Sequence, residues 1–431
     1  MIKNYIKIAF RNLSRFKAYS FINLLGLALG LTVSILILLF VADELAYDQF
    51  HVNRDRLFKI VTSNPDGGGL ETNAWPVAYR LATDFPEVEA TIYSRAMPSN
   101  MMVNYEGKRY QHTAYYASKD FFKLFSFNLI EGNAETALKE PFSIVITEDI
   151  KKRYFGSDVV LGKTITLRDS LDFIITGVVE NISQQSHIQF ELLTSFTTNE
   201  KLRPWFSYSE GWGNFDVRNY LLLKEGEDID NVLVKARNLY MDNAGEWLKE
   251  MGLEFQVDFI PLKDVYLRSE YSNGFGPNGS IDRVYLVSAI ALFVMILACI
   301  NFINLTTARS VYRAKEVGLR KIVGSTRIAL FWQYIREAFI ITLMASVSVA
   351  ILIDFTLPFF NELMGKNYTL AALAQPVIIV GIVGLILFVS LLSGFYTALV
   401  LSGYKPVLVL KGRMSSGLSG IRFRRSLLVF H

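Results

Sequence analysis

The chain has 431 residues, 51% of them hydrophobic, with 44 Lys and Arg, 40 Asp and Glu, and a net charge of +4. Length of this order allows two or three folded units, and a single cysteine, Cys299, excludes any internal disulfide. Charge is segregated: residues 43–284 hold 36 acidic residues against 25 basic ones, a net of −11, whereas residues 1–20 and 402–431 carry bases and no acid.

In residues 1–20, Ile2, Ile6, Ala9, Leu13 and Phe16 recur at spacings of four and three beside Lys3, Lys7 and Arg11, which predicts an amphipathic helix on the inner membrane surface. Four stretches then meet the roughly 20 apolar residues that a bilayer-crossing helix needs. They are residues 21–42, 285–307, 338–357 and 376–401. The first is too long for the apolar core of a signal peptide and lacks an A-x-A cleavage site, so it reads as an uncleaved anchor. Small residues at helical spacing, Gly26 and Gly30 in the first span and Gly381, Gly384, Ser390 and Gly394 in the fourth, are candidates for close helix packing.

Residues 43–284 alternate strand-like runs with few helices. "LFKIV" at 57, "SIVIT" at 143, "TITL" at 164, "DFIITGVV" at 172, "RNYLLL" at 218 and "FQVDFI" at 255 read as strands, and "VNYEGKRY" as a hairpin turning at Glu106 and Gly107. A short helix ends at Gly156 and a longer one starts near Asp228. The fold class is therefore an α-helical membrane protein with four transmembrane helices and a large α+β extracytoplasmic (periplasmic) domain inserted between the first and second. Basic clusters favour the cytoplasmic side, and four crossings put residues 1–20, 308–337 and 402–431 on that one side. The N-terminus is expected inside and residues 43–284 outside.

Chemical motifs are scarce. "GSDVVLGKT", Gly156 to Thr164, imitates a phosphate-binding loop, but five residues rather than four separate its glycines, and it follows a helix and precedes a strand; a turn is expected. His51, His112, His187 and His431 show no spacing with Cys, Asp or Glu that suits a metal, and no G-x-S-x-G elbow is present. Asp43, Glu44 and Asp48 cluster just past the first span, where simple solvation is expected, and Asp354 reads as interfacial at the outer end of the third. The basic clusters sit beside spans without interleaved aromatics, which argues against nucleic acid.

Between the second and third spans, "ARSVYRAKEVGLRKIVGSTR" continues as a helix, with Gly324 suited to a left-handed helix end and Ser325 to the N-cap of the next helix. Here the sequence resembles the MacB/FtsX family of ABC transporter permeases, whose motif R-x-x-E-[IV]-G-L-R-[KR]-x-x-G is met by Arg313, Glu316, Val317, Gly318, Leu319, Arg320, Lys321 and Gly324. "ELAYDQFHVNRDRLFKIV", "PEVEATIYSRAM", "ITGVVENISQQSHIQFELLTSF" and "PLKDVYLRS" are similar to the MacB-type periplasmic core domain.

The resemblance implies a permease subunit of the inner membrane, without enzymatic activity of its own. A separate cytoplasmic ABC ATPase would bind ATP and Mg and push on Arg313, Glu316, Gly318, Leu319, Arg320, Lys321 and Gly324. Motion would pass to the periplasmic domain for efflux or extraction of an antibiotic, peptide or lipoprotein. The alternative is an FtsX-like signalling scaffold that regulates a periplasmic hydrolase. Membrane lipid and a periplasmic adaptor are further implied partners. "RFRRSLLVFH" resembles the entry to a fifth span, so the expectation is the first half of a two-half permease, or else a four-span subunit that pairs with a second copy.

Overall fold

The computed structural model describes residues 17–97, 102–105, 108–156, 158–167, 170–203, 211–269, 271, 275–308 and 310–403. Residues 1–16 of the helix expected over 1–20, the turn at Glu106 and Gly107, His431 and the basic tail past residue 403 lie outside the described residues.

In chain order the elements are α1 (Lys17–Leu45), β1 (Leu57–Ser63), β2 (Gly69–Leu70), α2 (Trp75–Asp84), β3 (Val88–Ala96), β4 (Met102–Tyr105), β5 (Lys108–Gln111), β6 (Ala114–Ala117), α3 (Phe121–Leu124), β7 (Leu129–Gly132), β8 (Ser143–Thr147) and α4 (Glu148–Phe155). They continue with β9 (Thr164–Leu167), β10 (Leu171–Val179), β11 (Leu192–Ser195), α5 (Phe196–Leu202), β12 (Arg218–Leu223), α6 (Ile229–Met251), β13 (Gln256–Pro261), α7 (Leu262–Arg268), α8 (Ile281–Ala308), α9 (Ser310–Ile322), α10 (Arg327–Met364) and α11 (Pro376–Ser402). These divide into an inserted unit, Glu44–Ile281, and a helical unit formed by the rest.

The inserted unit is built on one sheet in the order β13-β1-β12-β3-β6-β11-β8-β10-β9-β4-β5, with β2 beside β1 and β7 beside β10. Pairing is antiparallel except for β8 with β10 and β6 with β11. "SIVIT" is buried at all five positions, as a strand covered on both faces requires. The helix α6 opens on the Asp228 carboxylate, which accepts from the Asp230 N–H, and ends at Gly252 in the left-handed conformation. Its buried residues Val232, Ala236, Tyr240, Ala244 and Leu248 recur every four positions and pack with Ile60, Val257 and Leu221. Strands β2, β3, β6, β7 and β11 carry no separate prediction, and all but β3 are two to four residues long.

Within the sheet, β1 buries Lys59, whose Nζ lies 2.9 Å from Glu71 Oε2, and Ser269 donates to the other oxygen of Glu71. Burial pushes the Lys59 ammonium below its ordinary pKa and Glu71 opposes that shift. Breaking one side of such a pair would strand a charge in the core.

In the helical unit, α1, α8, α10 and α11 are long and apolar enough to cross a membrane. At 1.5 Å per residue the 38 residues of α10 reach about 57 Å, well beyond a hydrocarbon core of about 30 Å. Residues 327–337, expected as part of the linking segment, therefore belong to the same continuous helix as the third span. Leu27, Leu31, Ile35 and Phe40 of α1 share a core with Met295 and Phe302 of α8, Ala345 and Val349 of α10 and Val389 of α11.

Close approaches occur where glycine stands. A Cβ at Gly26 would lie 2.6 Å from Asn301 Nδ2, one at Gly30 2.5 Å from Ala298 Cβ, one at Gly381 2.6 Å from Leu38 and one at Gly394 2.9 Å from Ala338. Gly384 departs from the packing expectation: a Cβ there meets nothing within 4 Å, since its side of α11 faces open space. Within the spans, the Thr32 hydroxyl donates to the Ala28 carbonyl and that of Thr342 to the Ala338 carbonyl, one turn back in each helix.

Simple solvation of the acidic cluster after the first span does not hold. Asp43 accepts from Lys366 Nζ at 2.8 Å and from the Tyr368 hydroxyl at 2.9 Å. Glu44 and Asp48 are buried, the former accepting from Tyr266 and the latter from the His187 N–H. Their partners lie between 139 and 325 residues away, beyond the reach of a local reading.

Candidate coupling site

The segment between the second and third spans is a helix, a turn and a second helix. At its centre, Gly324 has φ +102, a backbone that favours glycine. The Ser325 N–H donates to the Arg320 carbonyl and the Gly324 N–H to that of Lys321, which together form a Schellman motif ending α9. The next N-cap is Thr326 rather than Ser325: its hydroxyl accepts from the Ala329 N–H, while the Ser325 amide is already used by the motif.

The motif residues separate onto two sides. Val317 is fully buried and packs with Leu330, Tyr334 and Ile335 of α10 and with Ala398 and Leu401 of α11, and Gly318 beside it is also buried. Arg320 donates to Glu316 and to Gln333 of α10, both at 2.6 Å. Lys321 Nζ donates to the Ser402 carbonyl at 2.7 Å, satisfying the C-terminal end of α11. These charges fasten α9 to its neighbours. Arg313 lies on α9, and its side chain is outside the described residues.

Facing outward are Leu319 and Ile322, both 58% exposed, with Val323 at 86% and Ile328 at 71%. Among these only Leu319 was expected as a site residue. The signal was present in sequence as four apolar residues in a segment too charged to be a span. Gln333 and Ser402 could not be anticipated, since only the packed helices bring them to Arg320 and Lys321.

No metal-binding group of three or more His, Cys, Asp and Glu occurs among the described residues. The inserted unit does bring each of two histidines between a carboxylate and a phenol. His187 Nδ1 lies 2.9 Å from Asp48 Oδ1, and its Nε2 is 2.8 Å from the Tyr220 hydroxyl. His112 Nδ1 lies 3.1 Å from Glu191, and its Nε2 is 2.8 Å from the Tyr154 hydroxyl. Burial raises both phenols, Tyr154 to about 12 and Tyr220 well above its ordinary value, opposite to what an activated nucleophile needs. Tyr220 is also wholly enclosed, so these chains brace the core.

Residues 20–239 match the MacB-like periplasmic core domain family, and residues 288–406 match the FtsX-like permease C-terminal family. The chain is 21% identical over 364 residues to YvrN of Bacillus subtilis (strain 168), described as an uncharacterized ABC transporter permease, covering 80% of this chain and 84% of that one. It is 26% identical over 208 residues to the macrolide export ATP-binding/permease protein MacB of Aggregatibacter actinomycetemcomitans, covering 48% of this chain and 29% of that protein. Among solved structures, a permease-protein domain from Porphyromonas gingivalis aligns with a TM-score of 0.39 at 21% identity, over 49% of this chain and 92% of that domain.

Proposed function

The chain belongs to the ABC transporter permeases that carry a MacB-like periplasmic core domain, a family that works with a cytoplasmic ATPase, and from that premise we propose that it is a mechanical transmission subunit. A separate ATPase, which holds the ATP and Mg²⁺, engages the tip formed by Leu319, Ile322, Val323 and Ile328. The charged residues Glu316, Arg320 and Lys321 keep that tip fixed to α10 and α11. Motion then passes along these helices toward the periplasmic domain, for efflux or extraction across an inner membrane with the N-terminus cytoplasmic. The relatives named for macrolide export support export as the direction of work.

The observation that carries this reading is an exposed apolar tip on a rigidly fastened, otherwise basic helical turn. Burying each such side chain against a partner contributes about 1.5–3 kcal/mol. A Leu319→Asp/Ile322→Asp double variant is expected to lose co-purification of the ATPase and its stimulation while inserting normally in the membrane. Retention of both in that variant overturns the assignment. Glu316→Ala with Arg320→Ala is expected to give the same loss of stimulation by loosening the tip.

A further inference from the structure

Immediately after α1 the chain turns within a few residues, the Gln49 N–H donating to the Ala46 carbonyl and the Gln49 side chain to that of Leu45. On this short turn, Leu45 is 50% exposed, Phe50 39% and Val52 85%. A single exposed apolar residue is ordinary on a protein surface. Three within eight residues, directly continuing a helix able to cross a membrane, are not scattered.

The turn is also held firmly from behind. The Val52 N–H donates to Ser126 Oγ at 2.9 Å, and the Ser126 N–H donates to His51 Nδ1 at 3.1 Å. His51 sits 5.2 Å from the rings of Phe125 and Phe127, and Phe50 lies 4.0 Å from the His51 ring. Asn53 Nδ2 donates to the carbonyls of Lys123 and Leu124. The apolar side chains are therefore presented on a fixed backbone. Arg54 and Lys123 flank them, partly exposed, each beside a carboxylate: Asp55 for Arg54 and Glu89 for Lys123.

We propose that residues 45–52 are a membrane-interface anchor, with Phe50 and Val52 seated at the headgroup–acyl boundary of the leaflet where α1 ends. The occupant is lipid, because the apolar patch directly continues a helix long and apolar enough to cross a membrane. The inference requires only that α1 crosses the bilayer and is independent of any ATPase.

The test uses the full chain with Cys299→Ser and Val52→Cys, labelled with an environment-sensitive fluorophore in vesicles of phosphatidylcholine and phosphatidylglycerol. Labels at Val159→Cys, 74% exposed in the inserted unit, and Val347→Cys, 70% exposed on α10, serve as references. Brominated acyl chains are expected to cut the signal at 52 at least about twofold, as at 347, with no loss at 159. Iodide quenching at 52 equal to that at 159, without lipid quenching, overturns the proposal. Shielding of 52 from both quenchers means a protein occupant and overturns it equally. Loss of lipid quenching at 347 would instead show that the spans themselves are not inserted.

Discussion

At the scale of single residues, the inserted domain keeps charge and imidazole in its core and supplies each with a partner. His51 shows the consequence for pH. Burial pushes its imidazole from the ordinary 6.5 down to about 4; Asp48 opposes the shift and His187 adds to it. A histidine held neutral in the fold contributes stability that is complete above its unfolded pKa and is lost as pH falls toward the folded value. The window is therefore pH 6.5 to 4, and the full shift corresponds to about 3 kcal/mol. His51→Asn, which keeps an acceptor for the Ser126 amide, is expected to flatten the fall in melting temperature across that window relative to the parent chain. Identical pH profiles for the two proteins contradict the assignment. None of this was legible from sequence. His51 and His187 are 136 positions apart, and the arrangement depends on Phe125, Phe127 and Tyr220 enclosing them.

Among elements, legibility followed the range of the interaction. The end of α9 at Gly324 was readable because a left-handed residue is a local requirement. The next cap fell one residue later than expected, at Thr326, whose hydroxyl accepts from the Ala329 N–H, while Ser325 belongs to the Schellman motif that ends α9. The strands β1, β8, β9, β10, β12 and β13 were readable from apolar, β-branched runs, whereas β6 and β11, four residues each, lie side by side only through long connections. Similarly, the roles of Arg320 and Lys321 as fasteners could be found only once α10 and α11 were packed against α9. The glycine spacing in α1 does have a measurable consequence. Gly30→Leu would drive a side chain into Ala298 of α8 and is expected to destabilise the helical unit by about 1–3 kcal/mol, read as a lower melting temperature in detergent. An unchanged melting temperature would mean that α1 and α8 are not closely packed at this point.

For the whole molecule, the segregation of charge in the sequence corresponds to the division of the fold. The acidic excess falls in a sheet-based unit, and the apolar helices form a second unit whose linking segment is basic. Mechanical transmission asks for a stiff contact point and a continuous helix, and α9 with the 38-residue α10 supplies both. The central claim is thus that the tip around Val323 meets an ATPase. The measurement that tests it most directly places a photo-crosslinking residue at 323 of the full chain in its native membrane and identifies what is captured by mass spectrometry. A nucleotide-binding ATPase captured at 323 and not at Val159 of the inserted domain is the predicted result. Capture of no ATPase at 323, or labelling of 323 by a membrane-impermeant reagent from the outer side, would contradict it.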